Sequence, residues 1–336
     1  MRRALLKLEE VACPLRLMDA ARRAYKGGAE ALAFVCDLDR EAMALRRELL
    51  SGEYRPGAFR HFWVCDRKPR FISAAPFRDR VVHHSLTALM APRLEQHADP
   101  HSYACRPGRG LHRALRYARG RCRAHPWALR LDVAHYFETI PHDPLKALTR
   151  RLFKGDAALA LLDRFIDHAP EGCAPGRGLP IGNLTSQHLA NLYLTPLDHA
   201  LRRDPRVSAY LRYMDDLTLF GESKEALWGA HEEVSAHLAA WGLRLKPSAT
   251  ELCPTALGVP LLGFRVFPTH TRLTAPRLRR YRRRRRALDR AWRRWGDSER
   301  LRALSESLTA WVSTASTFEM RRRHARRLAG EGAGGA

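Results

Sequence analysis

The stretch LRYMDDLTLFG, residues 211–221, decides how this chain is to be read. Residues 211–213 and 217–220 are aliphatic, aromatic and β-branched, so each run predicts a short buried strand. Between them stand two adjacent carboxylates, Asp215 and Asp216. An Asp pair at a hairpin tip is ordinarily a turn former. The sharper alternative is a pair of oxygen ligands for a divalent cation, held on a rigid turn. The two are separated by what the rest of the chain supplies.

Charge narrows the partner. The 336 residues carry 59 Lys plus Arg against 35 Asp plus Glu, a net +24, with an apolar content of 45% that fits a globular chain with a real core. So large an excess calls for a polyanion, either nucleic acid or an anionic membrane surface. No apolar run reaches the ~18 residues that span a bilayer. The opening MRRALLKLEEVACPLRL has acids within it and lacks the apolar core of a signal peptide. The expectation is a cytoplasmic protein, away from membranes, that handles nucleic acid. Cysteines at 13, 36, 65, 105, 122, 173 and 253 form no CxxC pair, so they read as small buried hydrophobes in a reducing compartment.

Residues 1–54 read as an N-terminal helical segment, with EALAFVCDLDREAMALRRELL (30–50) helical and SGEYRPG (51–57) as its stop. FRHFWVCDRKPRFISAA (59–75) predicts two strands around a basic turn, and 76–95 a helix on which at most one of His83 and His84 faces the core. A basic Gly-rich turn enters a basic helix over 105–125, and WALRLDVAHYF (127–137) is a strand running into a turn. Residues 143–169, 184–203 and about 222–241 read as helices, and LGVPLLGFRVFP (257–268) as a second hairpin. Past 269 the composition shifts: residues 276–336 hold 18 arginines, no lysine and six acids. RRYRRRRRALDRAWRRWG (279–296) places Tyr281, Trp292 and Trp295 among arginines, which suits a helix laid along a phosphate backbone. Arg279, Arg280, Arg282 and Arg283 are its candidate contacts, and the terminal GEGAGGA reads as a flexible end.

A third carboxylate sharpens the reading of the hairpin. Asp132 ends the apolar strand of LRLDVAHYF. A lone Asp on one strand and an Asp pair on a neighbouring hairpin are the set that metal-dependent nucleotidyl transfer needs, with two divalent ions roughly 3.5–4 Å apart. At this point the chain resembles a reverse transcriptase of the bacterial, group II intron-like class. YMDD (213–216) matches the signature hairpin, LDVAHYFETIPHDPL (131–145) the first carboxylate block, and GLPIGNLTSQHLANLYLTPLD (178–198) the block between them. GLRLKPSAT (242–250) and LLGFRVF (261–267) match the blocks that follow, while RKPRFISAAPFRDRVVHHSL (67–86) and SYACRPGRGLHRAL (102–115) resemble the fingers. Ordered blocks thus cover about 55–268. Group II intron enzymes usually read QGxxxSP in the middle block. The IGxxxSQ form over Ile181–Gln187 is similar to the reverse transcriptases of diversity-generating retroelements. A chain that stops after a short thumb, without a maturase extension or HNH cysteines, is also expected of that compact subgroup. The Arg-rich, Lys-poor thumb departs from it.

The resemblance implies an α+β right-hand polymerase: fingers and palm over 55–268, the palm's antiparallel sheet carrying the carboxylates, and a basic helical thumb over 269–336. It implies two Mg²⁺ ions, with Mn²⁺ as a substitute, held by Asp132, Val133, Asp215 and Asp216. Lys246 would protonate the leaving pyrophosphate. Lys68 and Arg70 would grip the incoming dNTP, Phe137 would act as steric gate, and Ile181, Gly182 and Gln187 would line the nucleotide site. Arg78 and Arg80 would hold template. Implied partners are template RNA, the RNA/cDNA duplex and a small basic oligomeric accessory variability protein, in a bacterial or phage-encoded system that copies template adenines with errors. The competing expectations are a phage-defence or other domesticated reverse transcriptase, and a non-catalytic RNA-binding protein.

Overall fold

The computed structural model describes residues 2–65, 69–296, 298–317, 320 and 322. The chain opens with β1 (Ala4–Leu5), α1 (Leu8–Val11), α2 (Pro14–Ala24), α3 (Ala29–Cys36) and α4 (Leu38–Ser51). The helix expected over 30–50 is therefore two. Asp37 leaves helical geometry at φ −123°, ψ 43° and pairs with Arg40 at 2.7 Å, as a residue that favours helix starts over interiors does. Gly52 ends α4 in the left-handed region at φ 77°, the expected stop.

A hairpin of β2 (Arg60–Cys65) and β3 (Pro69–Ala74) leads into α5 (Phe77–His97), whose buried row includes Phe77, Val81, Val82, Leu86, Met90 and Leu94. His83 is buried and His84 half-buried, as helical spacing requires. Asp79 fastens the preceding segment to α5, accepting from Tyr54 Oη at 2.6 Å and from the Gly57 amide at 2.7 Å.

After α6 (Gly110–Ala124) come β4 (Trp127–Asp132), α7 (Tyr136–Thr139), α8 (His142–Leu152), β5 (Phe153–Lys154) and α9 (Asp156–Asp167). The single helix expected over 143–169 is split because β5 pairs in parallel with β1. Gly155 makes the close approach possible: at φ 117°, a Cβ there would lie 2.0 Å from the Leu6 carbonyl oxygen. Then follow α10 (Leu184–Tyr193) and α11 (Thr195–Leu201), separated where Pro196 cannot continue the first helix, and β6 (Ala209–Tyr213) and β7 (Asp216–Gly221). In α12 (Lys224–Ala240), Ser223 caps the first turn by accepting from the Ala226 amide.

No pattern in the sequence announces β8 (Glu251–Pro254), which completes an antiparallel four-stranded sheet of order β6-β7-β4-β8. Alternation along its strands feeds two cores. Leu129, Leu131, Leu217, Leu219 and Tyr210 face the main core, shared with α8, α10 and α12. Ala128, Leu211, Phe220 and Cys253 face a second cluster with Ala114, Leu115 and Ala118 of α6. Removing a fully buried side chain here, as in Leu129→Ala, costs about 2–5 kcal/mol.

The second hairpin, β9 (Val259–Leu261) and β10 (Phe264–Val266), gains a third strand, β11 (Thr271–Leu273), so the 268/269 boundary expected from composition falls inside one sheet. Last come α13 (Ala275–Trp295) and α14 (Glu299–Ser313), packed on each other through Tyr281, Leu308 and Val312, with Arg285 donating to Ser305 Oγ at 2.8 Å. The cysteine expectation needs correcting. Cys122 and Cys253 are buried, but Cys36 and Cys105 are exposed, because each lies at the end or outside of an apolar row.

Candidate active site

Strand register brings the carboxylates together. Asp132 stands directly opposite Asp216 across β4 and β7, and Tyr213 pairs with Asp216 across β6 and β7. Only Met214 and Asp215 then form the loop, which makes the hairpin as tight as one can be. Met214 has φ 61°, a conformation for which glycine is the usual residue. Such strain costs on the order of 1–3 kcal/mol and persists only where neighbours enforce it.

The enforcing neighbour is Arg212. Its guanidinium is fully buried and grips Asp198 of α11, Nε to Oδ1 at 2.8 Å and Nη2 to Oδ2 at 2.5 Å. Nη1 donates to Asn191 Oδ1 and to the Met214 carbonyl, each at 3.1 Å. The turn bearing Asp215 is thereby tied to α10 and α11, and deleting one partner of such a buried pair costs about 3–5 kcal/mol. Sequence reasoning missed Arg212 and Asp198. The available signal was a charge inside each of two largely apolar runs, LYLTPLD and AYLRY.

The Asp215 carboxyl is pushed up to about 6, first by burial and then by Asp216 and Asp132, with Arg70 acting in the opposite sense. That pattern marks carboxylates sharing one confined space. It also places the Arg70 guanidinium, on β3, within electrostatic reach of the same point. Asp216 lies at the rim, where Oδ1 is 3.8 Å from Arg130, which also donates to Glu251 at 3.2 Å.

The segment after α12 runs back along the end of β4. The Lys246 amide donates to the Asp132 carbonyl and the Ala134 amide to the Arg244 carbonyl, both at 2.8 Å. These bonds flank the Val133–Leu245 bridge and set Lys246 beside Asp132. The Val133 side chain is buried, so its main-chain carbonyl is the only donor it can offer a cation.

The remaining candidates divide. Phe137 is half-buried against the core, 5.7 Å from the Tyr136 ring, with its carbonyl accepting from the Leu179 amide at 2.7 Å. Ile181 is tied to β3, its carbonyl accepting from the Ser73 amide at 3.1 Å. Gly182, at φ 117°, lets that strand come close, since a Cβ there would lie 3.0 Å from Ile72 Cγ2. Gln187 Oε1 accepts from Cys105 Sγ at 3.4 Å. Arg78 is committed elsewhere, paired with Glu48 of α4 and 5.8 Å over the Tyr54 ring. Arg80 lies 5.1 Å over Phe77. Lys68 falls outside the described residues. Arg279, Arg282 and Arg283 join Arg286 and Arg290 in lining a groove of about 310 Å³ along α13, while Arg280 is half-buried beside it.

Among the described residues, no three His, Cys, Asp or Glu side chains form a ready-made cation cage. Asp132, Asp215 and Asp216 offer an open, mutually repelling set instead. Such a set suits Mg²⁺, which is commonly held by one or two carboxylates and completes its octahedron with waters and substrate phosphates. The residues present fit the ion.

Residues 65–266 match the family model described as Reverse transcriptase (RNA-dependent DNA polymerase). The chain is 28% identical to Protein YkfC of Escherichia coli (strain K12) over 200 residues, which is 56% of this chain and 49% of that protein. It is 30% identical over 125 residues to an uncharacterized 91 kDa protein in cob intron of Schizosaccharomyces pombe, covering 36% and 16% of the two. Over 87 residues it is 28% identical to Nuclear intron maturase 1, mitochondrial, of Arabidopsis thaliana, covering 26% and 12%. The chain thus spans about half the length of the first of these relatives and less of the others. Among the described residues, no helix is long and apolar enough to cross a membrane.

Proposed function

Because the chain belongs to the reverse transcriptase (RNA-dependent DNA polymerase) family, we propose that it copies an RNA template into cDNA by two-metal nucleotidyl transfer. The observation that carries this is the opposition of Asp132 and Asp216 across β4 and β7, with Asp215 at the tip of the adjoining turn. In this reading the β2–β3 hairpin and α5 are fingers, the four-stranded sheet is the palm, and α13 and α14 are the thumb.

Asp132, Asp215 and the Val133 carbonyl hold the ions, with Asp216 as a supporting charge. Bound Mg²⁺, with Mn²⁺ as a substitute, supplies activation of the primer 3′-hydroxyl and neutralisation of triphosphate charge. Arg70 draws the triphosphate toward the carboxylates through charge-assisted hydrogen bonds. Lys246, fixed beside Asp132 by its own amide, donates a proton to the departing pyrophosphate. Phe137 blocks a ribose 2′-hydroxyl, and Ile181 and Gly182 line the nascent pair. The arginine groove of α13 follows the phosphates of the RNA/cDNA duplex.

The IGNLTSQ sequence of 181–187 supports a finer reading, a diversity-generating retroelement enzyme that miscopies template adenines and works with a small basic accessory protein. Sequencing the cDNA made from a defined RNA tests both levels. Product with excess errors opposite template adenines is expected. Product with a flat error spectrum would replace the finer reading with a domesticated or phage-defence enzyme, and no templated product would overturn the polymerase itself.

A further inference from the structure

We propose that Asn183 is a positioning residue of the nucleotide site: its side-chain oxygen pins the free edge of β3 to the start of α10 and so sets where Arg70 stands relative to the carboxylates. The role of Arg70 toward a dNTP rests on the polymerase reading. The pin itself does not.

Asn183 occupies the N-cap of α10, with the extended φ −91° and ψ 143° of such a residue. An asparagine there ordinarily accepts from an amide of its own first turn. This one does not. Its Oδ1 accepts instead from the Ala75 amide, 108 residues away in sequence, at 3.3 Å. Its Nδ2 is buried with no hydrogen-bond partner among the described residues, and the residue as a whole is 2% exposed. The chain thus forgoes a helix cap and leaves a buried donor unpaired, two costs that a serine cap would avoid. What asparagine supplies and serine cannot is reach, a carbonyl oxygen one bond further from the backbone.

That oxygen continues a ladder. One edge of β3 pairs with β2. On the other edge the Ser73 amide donates to the Ile181 carbonyl at 3.1 Å. Amides two residues apart leave a strand on the same side, so Ala75 presents the next rung just past the end of β3. There α10 is beginning, and the side chain of Asn183 supplies the carbonyl that its main chain turns away. Gly182, between the two rungs, lets the segment lie close against Ile72.

The pinned strand carries Arg70. Side chains alternate along β3, so Arg70 shares the face on which Ile72 approaches Gly182. Arg70 lies five residues before Ala75, about 17 Å along the strand. A small swing at the pinned end therefore moves the guanidinium further. β2 cannot resist that swing, because it belongs to the same hairpin and moves with β3.

The test compares the full chain with Asn183→Ser, Arg70→Ala and the double variant in primer extension, with amide hydrogen exchange over residues 69–76 as a second readout. Asn183→Ser keeps a cap on α10 and loses the bond to Ala75. It should melt close to the parent and leave kcat near the parent's. KM for the dNTP should rise roughly 2- to 12-fold, since misplacing the strand can cost no more than the one hydrogen bond that secured it. In the Arg70→Ala background the same substitution should add little, because the residue it positions is gone. A serine effect of equal size in both backgrounds, a fall in kcat at unchanged KM, or a parent-like KM would each overturn the proposal. Exchange over 69–76 should be faster in Asn183→Ser and slow again in Asn183→Asp, which returns an oxygen to the place of Oδ1. Exchange that serine leaves unchanged, or that aspartate fails to restore, overturns the pin. A parent that extends no primer removes the polymerase reading and leaves the exchange comparison to decide the pin.

Discussion

Replacing Asp215 with asparagine should make the metal-free protein more stable while removing its activity. The carboxyl lies at about 6 in the folded chain against 3.8 without the fold, raised by burial and by Asp216 and Asp132. The folded chain keeps that proton up to about pH 6 and the unfolded chain only to about 3.8. The penalty for ionising Asp215 in place is therefore full above pH 6 and fades as pH falls toward 4. The difference corresponds to about 3 kcal/mol as an upper figure. A neutral, nearly isosteric amide removes it. In EDTA at pH 8, Asp215→Asn should melt a few degrees above the parent. The gap should narrow as pH falls below 6 and close only below about pH 4, as the parent's own carboxyl takes up its proton in both states. Primer extension with Mg²⁺ should drop on the order of 10³-fold or more, and RNA binding, assigned in this proposal to the arginines, should persist. An Asp215→Asn protein that melts below the parent in EDTA at pH 8, or a gap that ignores pH, would refute the crowded-carboxylate argument.

Phe137→Ala should admit ribonucleotides, lowering the ratio of dNTP to rNTP incorporation efficiency; an unchanged ratio would leave the ring to its packing against Tyr136 and the core. Neutralising Arg279, Arg282, Arg283 and Arg286 together should flatten the log–log salt dependence of duplex binding by about 0.7 to 0.9 for each phosphate they neutralise in the parent. An unchanged slope would mean that the groove does not meet phosphate. Ile181→Gln should reduce errors at template adenines, because a branched aliphatic residue checks only shape, a discrimination of about 1–3 kcal/mol. Identical error spectra from the two proteins would remove Ile181 from fidelity.

Much of the site was legible because its parts are local. Two short apolar runs around YMDD give the hairpin, and a third apolar run gives β4 with Asp132 at its end. What holds them was not legible, because it depends on distant segments. Arg212 reads as one charge in a strand until Asp198 and Asn191 are folded against it. β8 is four residues long and is defined by its pairing with β4 rather than by its own composition. The break at 153–155 likewise comes from β1, some 150 residues earlier, which β5 pairs with and Gly155 accommodates. Arg78 shows the converse. The resemblance of 67–86 to polymerase fingers suggested that it holds template, yet Glu48 and Tyr54 occupy its guanidinium.

Single-turnover addition of one deoxynucleotide to a DNA primer on an RNA template, titrated with Mg²⁺, bears most directly on the carboxylate site. The parent should add the nucleotide, and Asp132→Asn should add it on the order of 10³-fold more slowly or worse at every Mg²⁺ concentration while binding the primer–template as tightly. Parent-like rates from Asp132→Asn, or a parent that turns over equally well in EDTA, would contradict the assignment of Asp132, Asp215 and Asp216 as the catalytic metal ligands.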